Sequence, residues 1–250
     1  QRQMCIRDSM RRYIYFVFLL CCAVNLLLTS CVRQKYVVMD MVHHNPGEAM
    51  TESKFLDPSF LKKNEYGAKV FFLFEAAQFG IDWKSFDPSL FPDTTEAGRW
   101  VAEKAEIIHK KYDAAKKEDL QVYCMLDMLV LPSLLVEKHR TELTNEQGKL
   151  DISKPYTQLC IRELMKEMFE TFPQLDGLVI RTGETYLHDA PYYVGNHPVQ
   201  NGMYDHITLI NLLREEVCER RNKKLFYRTW DMGQLHSIPK YYLSVTDSIE

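Results

Sequence analysis

The chain's 250 residues suffice for one large domain or two small ones. With 46% hydrophobic and 26% charged residues, the composition is that of a globular protein with a substantial core, not of a disordered, collagen-like or multi-span membrane chain. Lys and Arg total 31 against 34 Asp and Glu, a net charge of −3 with no basic excess pointing toward nucleic acid.

Residues 1–9, Gln-Arg-Gln-Met-Cys-Ile-Arg-Asp-Ser, precede a good start at Met10 and read as a foreign leader without function. Arg11 and Arg12 then introduce an apolar run over 13–28, which ends in Leu28-Thr29-Ser30-Cys31. A charged start, a short apolar stretch and small residues before a cut site make 10–30 a secretory signal. The run is shorter than the ~20 residues a spanning helix needs, and Asn25 interrupts it. Leu-Thr-Ser-Cys resembles the bacterial lipobox, in which the cysteine is lipidated. Cys31 is therefore expected to anchor a mature domain, 31–250, at the membrane of the cell envelope, periplasmic or at the cell surface. An uncleaved anchor is the alternative. Of seven cysteines, Cys124, Cys160 and Cys218 remain beyond that point. None has the spacing of a zinc knuckle or a redox pair, so buried structural thiols are expected in preference to a disulfide.

Five short apolar, β-branched or aromatic runs follow: Tyr36–Met41, Lys69–Phe74, Gln121–Met128, Gly177–Arg181 and Lys224–Thr229. Helical spacing appears between them. Thr95–Lys117 repeats Trp100, Ala105, Ile108 and Tyr112, and Tyr156–Phe172 repeats Leu159, Leu164, Met168 and Phe172. His206–Arg221 does the same with Ile207, Ile210, Leu213 and Val217, and a last helix begins near Pro239. Strands alternating with helices predict parallel βαβ units in one α/β domain.

Two architectures compete. A doubly wound sheet usually carries a glycine-rich turn after its first strand, and this chain has none. In a (β/α)₈ TIM barrel, polar residues gather beyond each strand's C-terminal end, where the active site is built. His43, His44 and Asn45 follow the first run and Glu75 the second. Asp127 ends the third, Thr182-Gly183-Glu184 follow the fourth, and Trp230-Asp231 follow the fifth. The barrel is the expectation, incomplete because about five βα units are visible where eight are required.

The densest chemistry lies between Asp176 and His197. A strand ends in Arg181 and Glu184, and a loop follows with Tyr186, His188, Asp189, Tyr192, Tyr193, Asn196 and His197. Sugars need aromatic platforms for their flat apolar faces and polar groups for their hydroxyls. Cleaving a glycosidic bond needs a carboxylic acid on the leaving oxygen and a second carboxylate as nucleophile or base. Glu184 is the candidate acid. The bland alternative is a rim salt bridge between Glu184 and Arg181. Asp127, amid apolar neighbours, must be paired or hydrogen-bonded, either lining the mouth or capping a loop. Trp230 beside Asp231, and Trp83 near Glu75, are further ring-and-acid sets, with a packed ring and a capping acid as the plain reading of the first. His43 and His44 are adjacent, so in a strand they face opposite ways. Hydrogen bonding to substrate is favoured for them over metal ligation, with plain packing close behind. No cofactor is expected.

A fourth strand ending in Gly183-Glu184 resembles the barrel glycoside hydrolases that carry their acid/base glutamate at that strand's end. His43–Glu48, Phe74-Glu75 and Thr229-Trp230-Asp231 add a similarity to secreted bacterial barrel proteins of glycan utilisation. The α-glucuronidase-like hydrolases are the nearest named group, although their usual Asn-Glu pair is Gly183-Glu184 here. The resemblance implies a carbohydrate substrate and a second catalytic carboxylate on a later strand, beyond residue 250. By this reading Glu184 is the general acid. Arg181, Asp127, Asp231, His43, His44, Glu75, His188 and Asp189 bind or orient substrate, with Tyr186, Tyr192, Tyr193 and Trp230 stacking on sugar rings. A non-catalytic glycan-binding lipoprotein and a metal-dependent barrel hydrolase are the alternatives.

Overall fold

The structure, a computed structural model, describes residues 37–40, 53–72, 75–187, 189–228, 245 and 247–248. In chain order, β1 (Met39–Asp40) precedes a 3₁₀ turn at Lys54–Leu56 and the short helix α1 (Pro58–Lys63). Next come β2 (Ala68–Phe71), a second 3₁₀ turn at Ala77–Gly80, and the long helix α2 (Glu96–Lys117). Beyond it lie β3 (Gln121–Asp127), β4 (Val130–Pro132), and the helices α3 (Ser133–Lys138), α4 (Arg140–Leu143) and α5 (Pro155–Thr171). Last are β5 (Gly177–Arg181), β6 (Tyr193–Gly195), α6 (Met203–Leu213) with a π-helical extension over Arg214–Glu219, and β7 (Lys224–Tyr227).

This is a mixed α/β fold. The five strands β1, β2, β3, β5 and β7 form one parallel sheet in that spatial order, one strand from each predicted run. Strand order follows chain order without reversal. β4 and β6 stand apart as a two-stranded antiparallel ribbon, Val130 opposite Gly195 and Pro132 opposite Tyr193, which the sequence did not announce.

The two faces of the sheet are buried differently. Phe71, Val122, Cys124, Leu126, Leu178 and Ile180 point to one face and pack with Val101, Ile108 and Tyr112 of α2 and Ile161, Leu164 and Met168 of α5. A parallel connection has to cross over, and right-handed crossovers place successive helices on the same side. The other face is also apolar. Ala68, Val70, Phe72, Tyr123, Met125 and Val179 form a second buried cluster, with no helical residue in it among the described residues. Strand side chains alternate, so this face ends in Asp127 on β3 and Arg181 on β5, directly opposite each other in register.

Local chemistry sets the element ends. The Thr95 hydroxyl accepts the Gly98 N–H at 3.0 Å to start α2, and Lys116 and Lys117 close it where its dipole is negative. Below the sheet, Asp176 accepts the Val122 N–H at 2.7 Å and pairs with Lys116, tying β3, β5 and α2 at the end away from Arg181. At Gly177 a Cβ would fall 2.1 Å from the Lys224 carbonyl oxygen of the next strand. Gly177→Ala should therefore cost about 1–3 kcal/mol through forced separation of β5 and β7, measurable as a lower urea midpoint at unchanged slope.

Cys124, Cys160 and Cys218 are all free, the first two buried, in keeping with structural thiols. Burial pushes the Cys124 and Cys160 thiols up to about 12, so neither supplies thiolate near neutrality. Alkylation of the folded protein at about pH 8 should label Cys218, half-buried, well before Cys124 or Cys160; peptide mapping reads the order. Two acidic groups link stability to pH. The Lys138 ammonium, then the Ser89 hydroxyl, hold Asp87 down to about 2, and Arg162 and Arg220 hold Glu215 down to about 2. A depressed folded value stabilises above the unfolded value and is lost as pH falls through the folded one. Stability should thus decline from about pH 4.5 toward pH 2, and Asp87→Asn with Glu215→Gln should flatten part of that limb in thermal melts. Solvent access keeps each contribution within about 1 kcal/mol.

Candidate functional site

The C-terminal ends of β3 and β5 bring Asp127 and Arg181 into one buried cluster. Arg181 donates from Nε to Asp127 Oδ1 at 2.5 Å and from Nη2 to Oδ2 at 2.7 Å, a two-pronged contact with both side chains under 5% exposed. The guanidinium lies over two rings, 4.6 Å from the centroid of Phe72 and 4.3 Å from that of Tyr186. The two rings compensate part of the hydration the cation gives up. Asp127 Oδ2 also accepts the Tyr186 N–H at 2.9 Å, so the same carboxylate fastens the loop after β5.

Glu184 stands on that loop and is the exposed member, with its side chain 46% accessible. Its Oε2 lies 3.5 Å from Arg181 Nη1 and accepts the Tyr186 hydroxyl at 3.0 Å. That hydrogen bond, then partial desolvation, raises the Tyr186 phenol above its ordinary value, so the ring keeps its proton near neutrality. Asp127 and Arg181 spend their hydrogen bonds on each other and on the loop. Glu184 is the member of the cluster left open to solvent.

The turn carrying Glu184 is fixed from behind. Gly183 adopts φ +94°, a conformation open to glycine, and donates its N–H to His197 Nδ1 at 2.8 Å. His197 follows the β4–β6 ribbon, which Leu129 and Asn196 extend with reciprocal backbone bonds of 2.8 and 3.0 Å. The ribbon thus joins the loop after β3 to the loop after β5. The His206 ring sits 6.4 Å from that of His197, and its Nδ1 is 2.8 Å from the Tyr227 hydroxyl.

Other residues read from the sequence fall elsewhere. Glu75 pairs with Lys111 of α2 and lines a cavity with Phe71 on the helical face, whereas Arg181 lies on the opposite face. Asp189 is exposed and faces Lys104 of α2 electrostatically. Trp83 is fully buried against Phe86 at 6.1 Å, so it offers no platform beside Glu75. Tyr193 is 5% exposed, stacked on Phe91 and edge-on to Phe79, while Tyr192 packs edge-on to Trp100 at 5.7 Å. Tyr193 belongs to the core, and Tyr192, just before β6, is partly buried against it, so neither offers a platform. Asn196 is spent on the backbone of Leu150, at 2.8 and 3.1 Å. His43, His44, His188, Trp230, Asp231 and the Cys31 anchor lie outside the described residues, as does the leader over 1–30.

One polar residue of this face escaped the sequence reading. Arg228, just past β7, donates its N–H to the Ile180 carbonyl at 2.9 Å, and its guanidinium lies 3.9 Å from Met125 Sδ. Counting in twos from Phe226 would have placed it with Arg181. Among the described residues, no group of three or more His, Cys, Asp or Glu side chains could hold a metal ion, and no helix is long and apolar enough to cross a membrane. Neither a protein-family model nor a curated protein matches the sequence, so the interpretation of this cluster rests on its own geometry.

Proposed function

We propose that the chain belongs to a glycoside hydrolase with a (β/α)₈ catalytic barrel, lipid-anchored through Cys31 at a bacterial cell envelope, and that Glu184 is its general acid. The observation that carries this reading is the placement of an exposed carboxylate and an aromatic ring on a rigid, buried ion pair at the C-terminal ends of neighbouring parallel strands. Barrel enzymes build their sites at that end. The barrel itself is favoured by strand order that follows the chain, helices on one face, and an apolar opposite face that no helix covers among the described residues. In this reading Tyr186 lends a ring edge and a hydroxyl to the sugar, and Glu184 protonates the leaving oxygen. The chemistry also needs a second carboxylate, as nucleophile or base.

A second reading, a non-catalytic glycan-binding lipoprotein, is favoured by one fact. Asp127 is fully engaged by Arg181 and Tyr186, which leaves Glu184 as the cluster's one exposed carboxylate among the described residues. Incubating the complete protein with a panel of plant and microbial polysaccharides, and following new reducing ends, separates the two. Release abolished by Glu184→Gln supports the hydrolase; measurable binding with no release by the wild type overturns it.

A further inference from the structure

We propose that His197 is the positioning residue for Glu184, acting as a neutral imidazole whose Nδ1 lone pair holds the Gly183 N–H. This rests on the reading of Glu184 as the working carboxylate and names what fixes it in place. Glu184 is an exposed side chain on an irregular segment, and such segments sample many conformations unless their backbone groups are tied down. Among the described residues, two backbone N–H bonds flank Glu184. Behind Glu184, Gly183 is bonded to His197 at 2.8 Å; ahead of it, Tyr186 N–H is bonded to Asp127 at 2.9 Å. The left-handed φ of Gly183 turns the chain out of the β5 direction at the residue whose N–H the imidazole holds.

His197 is itself held at its backbone. Its carbonyl accepts from Asn196 Nδ2 at 2.9 Å and from Gln200 Nε2 at 2.6 Å, and Asn196 belongs to the extended β4–β6 ribbon. The imidazole therefore transfers the rigidity of the ribbon to the turn. An acceptor is required at that nitrogen, and an imidazolium has none, because both its ring nitrogens donate. Among the described residues, the His206 ring of α6 lies 6.4 Å from the His197 ring, with the Tyr227 hydroxyl of β7 on His206 Nδ1; Asp205 precedes His206 on α6, and Glu184 follows the Gly183 that the imidazole holds. Asp205 caps the Gln200 and Asn201 N–H groups at 2.6 Å each, so it holds α6 and the segment after His197 together.

The test uses the complete protein and needs no substrate. Hydrogen–deuterium exchange is followed over 182–187 in the wild type, His197→Asn and His197→Phe, with thermal melts confirming that each variant folds. Asn places an oxygen where Nδ1 stands, whereas Phe fills the space without an acceptor. At about pH 7.5, His197→Phe should exchange this segment about fivefold faster than the wild type, and His197→Asn should stay close to it. Acidification that protonates the His197 ring should weaken protection in the wild type, after correction for intrinsic exchange, and leave His197→Asn unchanged. Equal exchange in His197→Phe and wild type overturns the proposal, as does equal loosening in both variants, which would make His197 a packing residue. A polysaccharide panel without hydrolysis would overturn the hydrolase reading alone and leave the exchange result standing.

Discussion

Replacing Arg181 by methionine is expected to destabilise the protein by about 3–5 kcal/mol, the largest single-site loss at this cluster. The cost comes from what remains. Asp127 stays behind with its side chain 3% exposed, having lost both guanidinium bonds, and keeps only the Tyr186 N–H. An unpaired carboxylate in that place would have to be hydrated by opening the sheet end or be neutralised. The lost stacking on Phe72 and Tyr186 adds to it, since Met fills part of the volume but carries no charge for the rings. Urea unfolding of Arg181→Met, Asp127→Leu and the double variant measures the coupling. Each single change should be costly and the double change much less so, because a buried pair replaced by apolar groups removes both unmet charges together. Additive losses in the double variant would show that the two side chains act independently, contrary to their register and contacts.

The same pair shows where sequence reading reaches its limit. Asp127 and Arg181 were each legible as polar ends of apolar runs. Their pairing was not, because 54 residues separate them and only the β3–β5 register makes them neighbours. Sequence proximity suggested Arg181 with Glu184, a contact that exists at 3.5 Å but is the weaker of the two. Strands and long helices were legible because their burial is periodic. The predicted helix over Thr95–Lys117 begins one residue later with Thr95 as its cap, and the Gly177–Arg181 strand has the same ends in both descriptions. The β4–β6 ribbon was missed because each strand has three residues and Val130–Pro132 continues an apolar run without a turn signal. That omission hid the roles of Tyr193 and Asn196. Their partners, the Gln78 carbonyl and the Leu150 backbone, lie 115 and 46 residues away, and a loop rich in polar and aromatic residues looks the same whether it binds sugar or the protein.

Glu184→Gln should behave in the opposite way to Arg181→Met. Its side chain is 46% exposed and its ion pair with Arg181 is peripheral, so stability should change by no more than about 1 kcal/mol. Gln is close in shape and its amide oxygen still accepts from the Tyr186 hydroxyl, which leaves the surface available to a ligand nearly intact. What Gln cannot do is give up a proton to a leaving oxygen. If Glu184 is the general acid, glycan turnover by the complete protein should fall by about 10²–10⁴-fold, with affinity for the same glycan held within a few-fold. Tyr186→Phe should have a smaller effect, since it removes one donor from Glu184 and keeps both the ring over Arg181 and the Tyr186 backbone bond to Asp127. Turnover that survives Glu184→Gln would move the acid elsewhere and leave this cluster a structural clamp at the mouth of the sheet. Loss of turnover without loss of binding or stability would separate chemistry from scaffold within one cluster: the buried Asp127 and Arg181 hold, and the exposed Glu184 reacts.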